Sequence, residues 1–170
     1  MPMLVDAVRW LLFPAMMAFA ASTDLVRMTI SNRLTMTLAA GFFALAALQG
    51  LPLADIGSHM AAGFTVLAIS FFFFIRGWVG GGDAKLAAAT ALWFGWPHLF
   101  DYLVSASLLG GGLTLLLLEF RRRTLPAPLA RTAWIARLHD PEGGVPYGIA
   151  LAAAALFVYP STPWMAMAAT

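Results

Sequence analysis

RGWVGGGDAKLAAA, residues 76–89, sets three consecutive glycines, an aspartate and a lysine between two long apolar runs. In a soluble domain such a stretch would be an ordinary polar loop. Here 61% of the 170 residues are hydrophobic and 11% charged, against roughly 45–50% apolar residues in soluble domains, and the mean hydropathy is +0.83. The stretch is therefore read as a polar gap between membrane helices, because apolar segments recur along the whole chain at lengths suited to about 30 Å of hydrocarbon.

Working outward from it, the apolar pattern predicts six spans, at residues 4–23, 34–50, 56–75, 84–96, 102–120 and 146–167. The fold class expected is all-α, a polytopic membrane bundle of about six transmembrane helices in a single domain over residues 1–170. The fourth span is short. At about 1.5 Å per residue it covers roughly 20 Å, so its start lies below the membrane surface or beside a thinned, protein-lined recess. Turn chemistry separates the spans at GLPLAD (50–55), FGWPHLFD (94–101) and a basic loop at 121–145. The FFFF run at 71–74 reads as lipid-facing or packing mass.

Basic residues then orient the bundle. Arg27 and Arg33 follow the first span, Arg76 and Lys85 the third, and Arg121, Arg122, Arg123, Arg131 and Arg137 the fifth. All lie in alternate loops, which places those loops in the cytoplasm and both chain ends outside it. Arg9 breaks the pattern and is read as snorkelling to the interface. AFA at 18–20 resembles a signal-peptidase site, but Asp6 beside Arg9 is not a basic leader region, and cleavage would export Arg27 and Arg33. The first segment is kept as a permanent helix. A net charge of +2, distributed in this way, is a membrane pattern rather than a nucleic-acid surface, and the absence of cysteine excludes disulfides, thiolate metal sites and a cysteine nucleophile.

Sorting the eight acids by side narrows the chemistry. Asp6, Asp55 and Asp101 fall at the outer side as polar ends of helices and loops. Asp140 and Glu142 belong to a solvated turn, and Glu119 precedes three arginines as their ion-pair partner. Asp24 and Asp83 are left, each directly against a span on the cytoplasmic side. Asp83 has a structural alternative, as an N-cap after glycines that only turn the chain. Lys85, however, stands in the first helical turn, where a cation opposes the helix dipole by about 0.3–1 kcal/mol, and Asp24 opposes it at the other end by closing the first helix. Ionisable groups at membrane depth point to function.

Two carboxylates brought together do not both ionise easily, so a proton is shared and one pKa rises. Such a pair is an acid and a base in one site, able to activate water and protonate a peptide carbonyl, as in aspartic-protease hydrolysis. Glycines 80–82 would let a substrate backbone approach. No H-E-x-x-H or G-x-S-x-G motif is present, and His59, His98 and His139 are scattered. No metal or cofactor is expected.

GGGDAKL (80–86) resembles the G-x-G-D motif of the type IV prepilin peptidases, six-span membrane aspartic proteases of bacteria and archaea. DLVRMTISN (24–32) is similar to that family's D-x7-N signature, with Ser31 where the family usually has proline, and VPYGIALAAA (145–154) resembles its Pro-Tyr/Phe-Gly start of the last helix. The resemblance implies Asp24 and Asp83 as the catalytic pair, Gly80 and Gly82 as motif glycines, and Lys85 and Asn32 as supporting residues, for which interface anchor and loop cap are the structural alternatives. It also implies a bacterial inner-membrane enzyme that removes a short basic leader, ending at glycine, from pilin precursors whose next segment is an apolar helix. Larger members carry an extra cysteine-bearing cytoplasmic portion and also methylate the new N-terminus. Lacking that portion, this chain looks like the short, peptidase-only branch of tight-adherence (Flp-type) pili. A proton-coupled transporter and a non-enzymatic scaffold of a secretion machine remain as alternatives.

Overall fold

The computed structural model describes residues 2–166, with side chains from 8 to 165, so the expectations for the Asp6 side chain and for the last span's end at residue 167 lie outside the described residues. Among the described residues every regular element is helical: α1 (Pro2–Arg27), α2 (Asn32–Leu48), α3 (Leu53–Ile75), α4 (Gly81–Arg122), α5 (Ala127–Ala130), α6 (Ala133–His139), α7 (Tyr147–Val158) and α8 (Pro163–Ala166), with a 3₁₀ turn at Tyr159–Ser161. Two of them, α3 and α4, are long and apolar enough to cross a membrane.

The fourth and fifth predicted spans are parts of α4, and this corrects the loop expected at 94–101. Helix continues on both sides of one non-helical residue, Gly95, at φ 59° and ψ −174°, a backbone region that essentially only glycine enters. There the chain doubles back. Tyr102 packs edge-on against Phe94 with ring centroids 5.3 Å apart, and Gly110, far along the second arm, lies against Tyr147 and Ala150 at the start of α7. A break in an apolar interior needs replacement donors for the carbonyls it frees. Pro97 has no N–H to offer the carbonyl of Trp93, and the Trp164 indole N–H donates to that oxygen at 2.6 Å. His59 Nδ1 bonds the adjacent Leu92 carbonyl at 2.8 Å; a carbonyl only accepts, so this nitrogen carries the proton.

Aromatic packing surrounds the break. Phe13 stacks on Tyr159 at 4.5 Å and meets Trp93 at 5.1 Å, while Trp93 lies 5.4 Å from Trp164. The Trp93 indole donates to the Leu38 carbonyl of α2 at 2.9 Å, so the core joins α1, α2, α4 and the chain after α7. The last predicted span is also shorter than expected: α7 stops at Val158, Pro160 falls in the 3₁₀ turn that follows, and a separate short helix, α8, opens at Pro163.

The opposite end collects the basic segments. Arg121 donates to the Leu138 and Gly144 carbonyls, both at 2.8 Å, and Arg137 donates to the Val26 carbonyl of α1 at 2.9 Å. The 121–145 stretch is thus folded onto the bundle rather than free. Glu119 pairs with Arg123 at 2.7 Å, as its position beside three arginines predicts. Around the sides, Leu11, Phe64, Phe100, Leu108 and Phe157 are all more than half exposed, and the four phenylalanines at 71–74 are 37–55% exposed. That apolar exterior suits hydrocarbon, not water.

Gly95→Ala is expected to destabilise the fold by about 1–3 kcal/mol, through the backbone region it must hold and because a Cβ there would lie 2.9–3.1 Å from the His59 ring. Gly111→Ala, in the second arm with nothing within 4 Å, is expected to be stabilising by about 0.5–1 kcal/mol. Unfolding of both variants in detergent checks the contrast.

Candidate functional site

Three helix ends meet at the end of the bundle away from the aromatic cluster. Asp24 stands in the last turn of α1 and is 4% exposed. Asp83 is the third residue of α4 and is half-buried. Gly148 stands in the first turn of α7, and its N–H donates to Asp24 Oδ2 at 2.8 Å. Asp83 lies close enough to Asp24 for their charges to act on each other. The two carboxylates, 59 residues apart in sequence, therefore share one site.

Local structure explains each placement. The N-cap of α4 is Gly80, not Asp83. From the third helical position the Asp83 carboxylate turns back over Gly80, where an added Cβ would lie 2.8 Å from Asp83 Oδ2. This is the geometry by which a third-position acid satisfies the cap residue's N–H, and it suits the positive end of the helix dipole. Asp24 lacks that advantage. The Gly148 amide of another helix supplies its donor instead.

The wedge between the three ends is Ile30, in the link between α1 and α2. A Cβ on Gly82 would sit 3.1 Å from Ile30 Cβ and 3.4 Å from its backbone N and O. At Gly148 a Cβ would fall 2.7 Å from Ile30 Cδ1 and 2.8 Å from Asp24 Oδ2. Glycine at 82 is thus required by close approach and not by a positive φ, which among the described glycines occurs at Gly50, Gly77 and Gly95. The backbone that Gly82 admits is the chain's own.

Met28 at φ 53° turns the chain out of α1. Ser31, with φ −74°, then caps α2 by accepting from the Leu34 N–H at 3.3 Å. That φ lies within proline's range, so serine at this position keeps the path of the loop and adds a cap. Asn32 and Lys85 also come together: Lys85 Nζ donates to Asn32 Oδ1 at 2.8 Å, with both residues exposed. The bond ties the first turn of α2 to the second turn of α4.

Glu119 and Asp140 are engaged elsewhere, Glu119 with Arg123. Asp140 Oδ1 accepts from the Glu142 N–H at 3.0 Å in an exposed turn. No three His, Cys, Asp or Glu side chains converge as a metal site among the described residues. Asp24, Asp83, Gly80, Gly82, Asn32 and Lys85, all named from sequence, lie at one end of the bundle. Gly148 is the glycine of the Pro-Tyr-Gly motif, although no role at the site was read from it, and Ile30 lies within the 24–32 motif with only the slight signal of a β-branched residue in a loop.

Residues 11–115 match the type IV leader peptidase family. The prepilin leader peptidase/N-methyltransferase of Aeromonas salmonicida (strain A449) is 35% identical over 126 residues, which cover 68% of this chain and 43% of that protein. The protein of the same name from Aeromonas hydrophila is 34% identical with the same coverage. The chain thus spans less than half the length of these relatives. No solved structure matches it.

Filling either glycine should loosen the site. Gly148→Ala and Gly82→Val are each expected to cost about 1–3 kcal/mol by overpacking against Ile30, lowering the melting temperature in detergent. Gly144→Ala, with nothing within 4 Å, should leave it close to that of the unaltered protein.

Proposed function

The chain belongs to the type IV leader peptidase family, and on that premise we propose that it is a membrane aspartic endopeptidase that removes the short basic leader from type IV, Flp-type prepilins. The observation that carries this reading is the convergence of Asp24 and Asp83 where the ends of α1, α4 and α7 meet around Ile30. Two carboxylates in one partly desolvated site hold a single proton between them. The ionised member takes a proton from water as that water attacks the scissile carbonyl carbon. The protonated member donates to the carbonyl oxygen, giving a neutral tetrahedral intermediate without a covalent enzyme adduct. Collapse returns a proton to the leaving amine and restores the pair. Gly148 holds one carboxylate in place, and Ile30 with Gly82 sets the approach of α4 to α1.

The site belongs, in this reading, at the cytoplasmic face of the bacterial inner membrane, within a multi-pass bundle of six membrane-embedded segments with both ends outside. Three features support it: the basic loops gather at the carboxylate end, the helical segments alternate in direction, and the exterior is apolar. A proton-coupled transporter would use carboxylates near the middle of its helices, whereas Asp24 and Asp83 stand in the last and first turns of theirs.

Asp24→Asn and Asp83→Asn, nearly isosteric but unable to share a proton, are each expected to lower leader removal from a Flp-type precursor by on the order of 10³-fold or more, with normal membrane insertion. The double variant should be little worse than either single one, because the two act as a unit. Asp140→Asn and Glu142→Gln should process normally. N-terminal mass measurement of the co-expressed pilin reads all of these; processing near the normal rate by either single variant at 24 or 83 defeats the mechanism.

Orientation is tested separately. The chain has no cysteine, so a single cysteine introduced at Thr29 or Thr132 should resist a membrane-impermeant thiol reagent in intact cells, and one at Ser161 should react. Labelling at position 29 from outside would reverse the bundle.

A further inference from the structure

The first turn of α7 carries the amide that meets Asp24, so whatever fixes that turn aims the donor. Pro146 caps α7 without a side-chain hydrogen bond, which leaves the Gly148 N–H among the unpaired donors of a helix start and open to Asp24 Oδ2 at 2.8 Å. Gly148 has no side chain with which to hold the turn, and its neighbour Tyr147 packs on the second arm of α4 instead. The Tyr147 ring covers Gly110, where an added Cβ would lie 3.1 Å from Cε1 and 3.3 Å from Cδ1. Its hydroxyl stands 3.1 Å from Thr114 Oγ1, which gives its own hydrogen to the Gly110 carbonyl at 2.8 Å, so the phenol is the donor between them. Gly110, Thr114 and Arg121 follow at helical spacing along one face of α4. From that face the Arg121 guanidinium takes the carbonyls of Leu138 and Gly144, on the chain entering α7, at 2.8 Å each.

We propose that Tyr147 and Arg121 are positioning residues of the leader-cleaving site, holding the start of α7 against the second arm of α4 so that the Gly148 amide stays on Asp24. The inference rests on the leader-peptidase reading and names what keeps that carboxylate in place. Neither side chain bonds Asp24 itself; both act through Gly148. Three contacts fix the approach of α7: the ring on bare Gly110, the phenol on Thr114, and the guanidinium on the entering chain. Asp24 is 4% exposed, so water does not replace an amide that drifts away, and small displacements of a catalytic group are costly in rate. Arginine is specific at 121, because its planar fork spans two carbonyls that a single ammonium does not bridge in the same way.

Tyr147–Gly148 is the only Tyr-Gly pair in the chain, so isotope labels on the tyrosine carbonyl carbon and the glycine nitrogen select the Gly148 amide in the whole protein in detergent. Its proton, bonded to a carboxylate, should resonate downfield. Arg121→Lys and Gly110→Ala should each move it upfield, while Gly111→Ala, with nothing within 4 Å, should leave it in place. With a synthetic Flp-type precursor as substrate, Arg121→Lys, Gly110→Ala and Tyr147→Ala should lower kcat on the order of ten-fold or more, with KM changed less than about two-fold. Tyr147→Phe keeps the ring on Gly110 and should recover most of the kcat lost in Tyr147→Ala. An unmoved resonance in both Arg121→Lys and Gly110→Ala, a moved one with normal kcat, or a loss that Tyr147→Phe shares in full overturns the proposal. Should Tyr147→Ala fail to fold, the resonance and kcat of Arg121→Lys and Gly110→Ala decide. The resonance is read without cleavage, so an upfield shift in a protein whose unaltered form cleaves no precursor refutes the protease reading and leaves the hold on Gly148 standing.

Discussion

A carboxylate buried among apolar side chains is costly unless a donor meets it, and Asp24 is met by the backbone N–H of Gly148 at 2.8 Å. That hydrogen bond constrains the whole polar end of the bundle. It joins the last turn of α1 to the first turn of α7, and it holds only while position 148 has no side chain, since a Cβ would occupy the space of Asp24 Oδ2 and Ile30. Ile30 in turn rests on Gly82, which brings the start of α4, with Asp83, close to Asp24. One donor, two glycines and one branched side chain thus convert three separate helix ends into a site.

The far end obeys the same rule with different chemistry. Gly95 lets α4 reverse, and the carbonyls left behind are met by His59 and Trp164 from other parts of the chain. Because those donors sit within the aromatic cluster of Phe13, Phe42, Trp93 and Tyr159, the reversal is also where the apolar core is most strongly organised. About 11 residues of α1 separate Phe13 from Asp24, or roughly 16 Å of helix. The rigid aromatic end and the carboxylate end are separated by that apolar length.

Much of this was legible in sequence because it depends on residue type and order. Apolar runs marked the helices, alternating basic loops marked a common end, and Asp24 and Lys85, each placed against the helix dipole, with Asp83 beside the lysine, marked the site. The triple glycine before Asp83 pointed to close approach, although the approaching backbone is that of Ile30. Three details were not legible. FGWPHLFD reads as a loop, yet a single glycine makes the turn while His59 and Trp164, 36 residues before and 69 residues after Gly95, supply the missing donors. The run at 146–167 reads as one span, although α7 gives way to a 3₁₀ turn around Pro160 before α8 opens at Pro163. Gly148 reads as the glycine of a Pro-Tyr-Gly helix start, with nothing in the sequence to say that its amide meets Asp24.

What the sequence by itself determined is an all-helical, apolar chain with Asp24 and Asp83 at helix ends on one side, because hydropathy, charge placement and capping preferences act over a few residues at a time. What only the tertiary structure decided is which partners those residues meet: Gly148 for Asp24, Ile30 for Gly82, Asn32 for Lys85 and Trp164 for the carbonyl of Trp93. Those pairings span 52 to 124 positions of chain. They are chosen by the three-dimensional packing of helices in which buried backbone groups and carboxylates need a donor or acceptor, a condition with no local signature.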